Sequence, residues 1–346
     1  MRAASSEHRI LDEVLDGVIR SESDSTRLPL PIRRFVEFTG GTCATDAMRR
    51  AVQRLLESCD KGLKPTVPVS VEDLCRSLGV QLAGLPLSAR SAPSYGIGSW
   101  RPRAGHTGVL RFEKSRLVVV IPDDVDYATA RLSVAPELGH LLIHLRGSEP
   151  DEATTRLPTE PFEEALAEYA ARLMLLPPSM WTGFQPSLNL AEYAVAQSSV
   201  ARVTVHSAVA RLGDPDRDDI DIQGAILWKI RPGSPQSLPI HERLTPFWHL
   251  CPQTFIPIKK SKARQGSLIA ELAAQSGVVR GSREEDVRIG TFIGVYRADV
   301  LAWGSLNEGT RLVLSVFRPP GRNGDATIPT LDSGANQQDQ LPLGFD

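Results

Sequence analysis

Long apolar runs are absent from this 346-residue chain. No unbroken stretch approaches the ~18 residues a membrane-spanning helix requires. The opening MRAASSEHRILDEV is charged almost at once and lacks the apolar core of a secretory leader. Closely spaced cysteines are also missing. Cys43, Cys59, Cys75 and Cys251 lie far apart with no CxxC pair. That excludes a disulfide framework or a cysteine-built zinc site and reads as reduced thiols, so the expected localisation is cytoplasmic. Neither sign of charge dominates. Lys plus Arg number 39 against 41 Asp plus Glu, a net charge of -2. A globally basic nucleic-acid binder is therefore excluded, although a local basic patch is not. There is no internal repeat. What remains, 41% hydrophobic and 23% charged, is globular composition with material for about two or three domains.

Residues 1–64 look helical and loosely packed. EHRILDEVLDGVIR and TGGTCATDAMRRAVQRLLESC carry apolar residues at helical spacing, the second through Met48, Val52, Leu55 and Leu56. Between them SESDSTRLPLPIRR reads as a polar, proline-containing linker. A composition shift at KPTVPVS opens the next region. VSVEDLCRSLGVQL predicts a helix capped by Ser70 and stopped at Gly79. Strand signals follow over 80–122, clearest in the β-branched run SRLVVVIPDD.

A helix is predicted from near Asp126 to Leu145, and after a polar loop a second one over PFEEALAEYAARLMLL. Pro161 suits the first helical position of the latter, acids follow in its first turn, and Pro177 and Pro178 end it. Two more helices are expected over 188–213, then an acidic turn-rich boundary, GDPDRDDID. From Gln223 to Arg318 the pattern is strand-rich (GAILWKI, RIGTFIGVYRADVLAW, TRLVLSVF). Residues 319–346 have almost no apolar content and are expected to be disordered.

The chemistry-bearing segment is Ala135-Pro136-Glu137-Leu138-Gly139-His140-Leu141-Leu142-Ile143-His144. A zinc-peptidase helix needs two histidines at i and i+4, which places both imidazoles on one face. A glutamate after the first can then deprotonate a metal-bound water. Glu137 and His140 hold the second and third positions of that pattern, but Pro136 stands where the first histidine belongs. Glu163 and Glu164 on the next helix could supply a carboxylate ligand. The plainer alternative is a polar pair, Glu137 and His140, at i,i+3 on a buried helix.

The stretch from about Val69 to Leu212 resembles the ImmA/IrrE family of metallopeptidases. The match is carried by VSVEDLCRSLGVQL, LVVVIPDD, ARLSVAPELGHLLIH and EEALAEYAARLMLLP, followed by VARVTVHSAVARLG with Val203, Thr204, Arg211, Leu212 and Gly213. It covers a little under half of the chain, and the order of the motifs also agrees. The resemblance implies an α+β fold with a zincin-like core over 65–187. Around it lie a helical extension (1–64), an HTH-like segment (188–214), a strand-rich C-terminal domain (215–318) and a tail (319–346). It implies a Zn2+ ion held by His140 and Glu163, with Glu164 or His144 as alternatives, and Glu137 as catalytic base. It also implies a protein partner, such as a transcriptional repressor in a stress or mobile-element circuit, and a GAF-like sensor as counterpart of the C-terminal domain.

Pro136 breaks this set, since proline has no ligating side-chain atom and removes a helical hydrogen bond. The protein is then a pseudopeptidase, or it recruits His144, which restores an i,i+4 pair with His140, or the proline reflects a single-base change from a histidine codon. Of these, a pseudopeptidase or weakened site is preferred over full activity. The competing class is a non-catalytic module for protein binding or ligand sensing. DNA contact through His206 and Arg211, or through the cluster Lys259, Lys260, Lys262 and Arg264, has weak support, and packing and a solvated loop are the preferred readings. A metal at His241, His249 and Cys251 is likewise less favoured than packing around Trp228, Trp248 and Trp303.

Overall fold

The computed structural model describes residues 28–59, 67–87, 108–113, 116–144, 161–181, 188–214, 220–231, 234–250, 262–289, 292–306 and 309–320. In chain order the elements are α1 (Leu30–Thr39), α2 (Ala44–Cys59), α3 (Val71–Ser77), β1 (Val80–Ala83), β2 (Val109–Glu113), β3 (Arg116–Val120), α4 (Tyr127–His144) and α5 (Pro161–Leu175). Then come α6 (Leu190–Ala201), α7 (Val205–Leu212), β4 (Gly224–Ile230), α8 (Ile240–Arg243), β5 (Leu244–Leu250), α9 (Leu268–Ala273), β6 (Val279–Ile289), β7 (Phe292–Trp303) and β8 (Leu312–Arg318). The class is α+β. None of the described helices is long and apolar enough to cross a membrane.

The chain divides into two compact units, Met1–Gly183 with Val200–Pro215, and Phe184–Ser199 with Asp216–Asp346. In the first, three strands run in the order β1-β3-β2, β1 parallel and β2 antiparallel to β3. The β-branched run of β3 lies between its two partners, with Val118 and Val119 buried. Helix α3 starts where Ser70 accepts the Asp73 N–H on its hydroxyl and ends before Gly79, whose φ of +69° is a left-handed turn.

The segment read as a linker is in part helix α1. Pro29 and Pro31 stand at its start, where proline costs no hydrogen bond. Nor are residues 28–59 loosely packed, for Ile32, Phe35, Ala47 and Met48 are fully buried. The helix expected within residues 7–20 lies outside the described residues. Two arginines, Arg131 buried and Arg172 partly so, tie the first unit together. Arg131 donates to the carbonyls of Val69 (2.8 Å) and Ala201 (2.6 Å), and Arg172 makes a two-pronged contact with Asp214.

The second unit is a five-stranded antiparallel sheet in the order β5-β4-β8-β7-β6. One face buries Trp228, Ile230, Val287, Val300 and Phe317 with Ile269 and Leu272 of α9. The Trp228 indole N–H donates to Ser315 Oγ. The run RIGTFIGVYRADVLAW is not one strand. Its first residues end β6 and the rest is β7, paired back from Ile289↔Phe292.

Candidate functional site

Helix α4 opens on Asp126, whose carboxylate accepts the Thr129 N–H. Alanine, leucine and valine cover nearly all its sides, and Ala130, Val134, Ala135, Leu138 and Ile143 are buried, the pattern of a helix enclosed in a core. Pro136 sits within it without ending it. Having no N–H, it leaves the Leu132 carbonyl without its helical donor.

Two glycines decide what α4 touches. A Cβ on Gly139 would lie 2.7 Å from the carbonyl oxygen and 2.8 Å from the Cα of Ala167. Helices α4 and α5 thus cross with backbone nearly against backbone, a contact that no other residue permits without movement. A Cβ on Gly108 would lie 2.7 Å from the Ser133 carbonyl oxygen, so the chain entering β2 is equally close to α4.

These contacts assemble the polar residues. One residue beyond the crossing, His140 meets the first turn of α5. Its Nδ1 is 2.9 Å from Glu163 Oε1 and its Nε2 is 3.2 Å from Glu164 Oε2. One turn on, His144 Nε2 lies 2.7 Å from the same Glu163 oxygen. His140 and Glu163 are each only 5% exposed. Burial alone would discharge His140, but its hydrogen bonds to Glu163 and Glu164 and their charge outweigh it and push its pKa up to about 9. Burial likewise opposes ionisation of Glu163, and the two histidines overcome it, bringing the carboxyl down to about 2. At neutral pH the cluster is a buried imidazolium between carboxylates.

Glu137 does not join it by a hydrogen bond. Its Oε2 accepts the N–H of Leu110, which β2 turns outward at 3.2 Å. Burial raises the Glu137 pKa, the His140 charge and the Leu110 N–H only partly opposing. Glu137, His140, Glu163, Glu164 and His144 are thus brought to adjoining turns of two helices, with Glu137 drawn towards the sheet. The involvement of Leu110 was not legible beforehand, because a backbone donor carries no residue-type signal.

The residues do not fit the zinc site that the resemblance implies. The position one turn before His140 holds Pro136 and offers no donor atom. A zinc-bound histidine gives one ring nitrogen to the metal and the other to an outer partner, whereas both nitrogens of His140 face carboxylates. Among the described residues no group of three or more His, Cys, Asp or Glu is arranged to hold a metal ion.

The other candidates lie elsewhere. His206 and Arg211 are buried in the first unit, and Arg211 donates to the Leu176 carbonyl and approaches Asp214, in keeping with a packing role for α7. Arg264 pairs with Asp286 and Lys262 is exposed, while Lys259, Lys260 and Cys251 lie outside the described residues. Cys75 is buried, and burial pushes its thiol up to about 12, so it is inert as a nucleophile.

No family model matches the chain, and no curated protein matches it significantly. Among solved structures it is similar to a Mycobacterium tuberculosis transcriptional regulator, with 13% identity, 78% of this chain and 87% of that chain covered, and a TM-score of 0.39. A likeness that loose assigns neither a fold family nor an activity.

Proposed function

We propose that this chain is a degenerate relative of the ImmA/IrrE metallopeptidases, a pseudopeptidase that acts as a regulatory protein-binding module. The observation behind this reading is the pairing of Pro136 with a fully engaged His140. The turn that should present the first metal ligand presents a ring with no donor, and the remaining histidine is saturated by Glu163 and Glu164. A buried cation with paired carboxylates satisfies the polar groups that a metal would otherwise hold. The cluster then ties α4 to α5, and Glu137 ties α4 to β2, so the former catalytic residues brace the packing of these elements. The partner that fits this reading is a protein, with a transcriptional repressor as the first candidate from the resemblance.

The test is zinc per chain by elemental mass spectrometry on protein purified without chelators, beside Pro136→His and a His140→Ala, Glu163→Ala double variant. Zinc near background in the wild type and near one per chain in Pro136→His is expected, with casein cleavage, if any, confined to that variant. Near-stoichiometric zinc in the wild type that the double variant loses would overturn the reading and would favour a site completed by His144.

A further inference from the structure

The surface charge pattern of α2 carries an inference independent of the α4–α5 cluster. The helix buries Ala44, Ala47, Met48, Val52, Leu55 and Leu56. Its other side exposes Arg49, Arg50, Gln53, Arg54, Glu57 and Ser58. Among the described residues no exposed apolar residue of α2 lies on that face, whereas the centre of a protein–protein interface is apolar or aromatic. The three arginines are held in place. Asp46, itself buried, accepts Arg49 on Oδ1 and Arg50 on Oδ2, and the Thr42 N–H and hydroxyl fix the same carboxylate. The arginine side chains nevertheless remain 47% and 45% exposed, so one buried acid positions two guanidinium groups at the surface. Arg54 rests on the Thr39 carbonyl at the end of α1. Glu57, paired with Gln53, is the single exposed acid of α2 on this face among the described residues.

We propose that the Arg49–Arg50–Gln53–Arg54 face of α2 is a contact surface for the phosphate backbone of duplex DNA. Guanidinium groups bind phosphate through paired N–H donors, and groups already oriented lose less freedom on binding. Residues 49–54 span about 7.5 Å along the helix at 1.5 Å per residue. That rise matches roughly two phosphates of one strand, which carries a charge every ~3.4 Å of duplex axis. Gln53, between the arginines, adds an amide able to reach a sugar, phosphate or base edge. Glu57 limits the affinity by placing a like charge at the end of the track.

The experiment is a fluorescence-anisotropy titration of the full chain against a labelled mixed-sequence duplex at several salt concentrations from 50 to 200 mM. Wild-type binding should weaken steeply with salt. The Arg49→Gln, Arg50→Gln, Arg54→Gln variant should bind at least ~10-fold more weakly at low salt, with the log–log salt slope smaller by about 2 to 3. Glu57→Lys, a surface change that requires no refolding of the core, should tighten binding several-fold and keeps the idea testable if the triple variant folds poorly. Arg116→Gln, at the exposed first residue of β3, should bind as the wild type does. No binding by the wild type at 50 mM salt would overturn the assignment, as would equal binding by the triple variant or an unchanged affinity in Glu57→Lys. Equally effective displacement of the duplex by polyglutamate would show a patch for acidic polymers in general and would likewise overturn it.

Discussion

Gly139→Ala sets two effects of known sign against each other. Alanine in a helix interior is favoured over glycine by about 1 kcal/mol, so on local grounds the substitution stabilises α4. Against this, the new Cβ would stand 2.7 Å from the Ala167 carbonyl oxygen, 2.8 Å from its Cα and 3.1 Å from the Ala170 Cβ. Two of these three neighbours are backbone atoms of α5, which cannot turn aside as a side-chain tip would. The helices must separate by several tenths of an ångström along a close-packed seam. Overpacking of that kind costs about 1–3 kcal/mol, and rigid neighbours place it near the upper end. The net expectation is a loss of about 2 kcal/mol, read as a lower urea midpoint with an unchanged slope. A second signal follows, because His140 is the next residue. As the seam opens, its contacts with Glu163 and Glu164 lengthen, and its pKa, measured by NMR titration, should fall from about 9 towards its ordinary value. A Gly139→Ala protein that is more stable than the wild type, with an unshifted His140, would refute the close crossing.

Glu163→Gln removes the carboxylate shared by His140 and His144 and leaves a buried imidazolium less compensated, a loss of about 3 kcal/mol near pH 6 measurable by chemical denaturation. The pH dependence has a defined sign. His140, raised from 6.5 to about 9, contributes fully below pH 6.5 and loses its contribution as pH rises through 9. Glu163, lowered from 4.5 to about 2, contributes fully above pH 4.5 and loses its contribution as pH falls through 2. The pair is therefore at full strength between pH 4.5 and 6.5, wild-type stability should decline from pH 6.5 to 9, and Glu163→Gln should flatten that decline. Arg131→Met should lower the thermal midpoint at a cost of about 2–3 kcal/mol, because the carbonyls of Val69 and Ala201 lose a charged donor in a buried setting. A gain in stability would show that the desolvation of Arg131 outweighs its bonds.

Local chemistry made several elements readable in advance. Ser70 and Gly79 bracket α3, Pro161 with Glu163 and Glu164 opens α5, and the β-branched run forms β3, because caps, dipole complementarity and χ1 stiffness act within a few residues. Other elements were hidden. The strand β6 reads VRGSREEDVRI, with little apolar alternation, and exists through its register with β7. Pro246 masks β5, which tolerates it at the sheet edge.

The candidate site divides in the same way. Spacing alone placed Glu137 and His140 on one face of one helix beside Pro136, since the i,i+3 and i,i+4 relations belong to the helix itself. Only the tertiary structure decided that Glu163 and Glu164 take opposite nitrogens of one imidazole, that His144 shares the first of them, and that Glu137 turns to the Leu110 N–H. Those contacts depend on how closely α4 and α5 can approach. That distance is set by the missing Cβ of Gly139 against the Ala167 backbone, a pairing of residues 28 positions apart that no local pattern encodes.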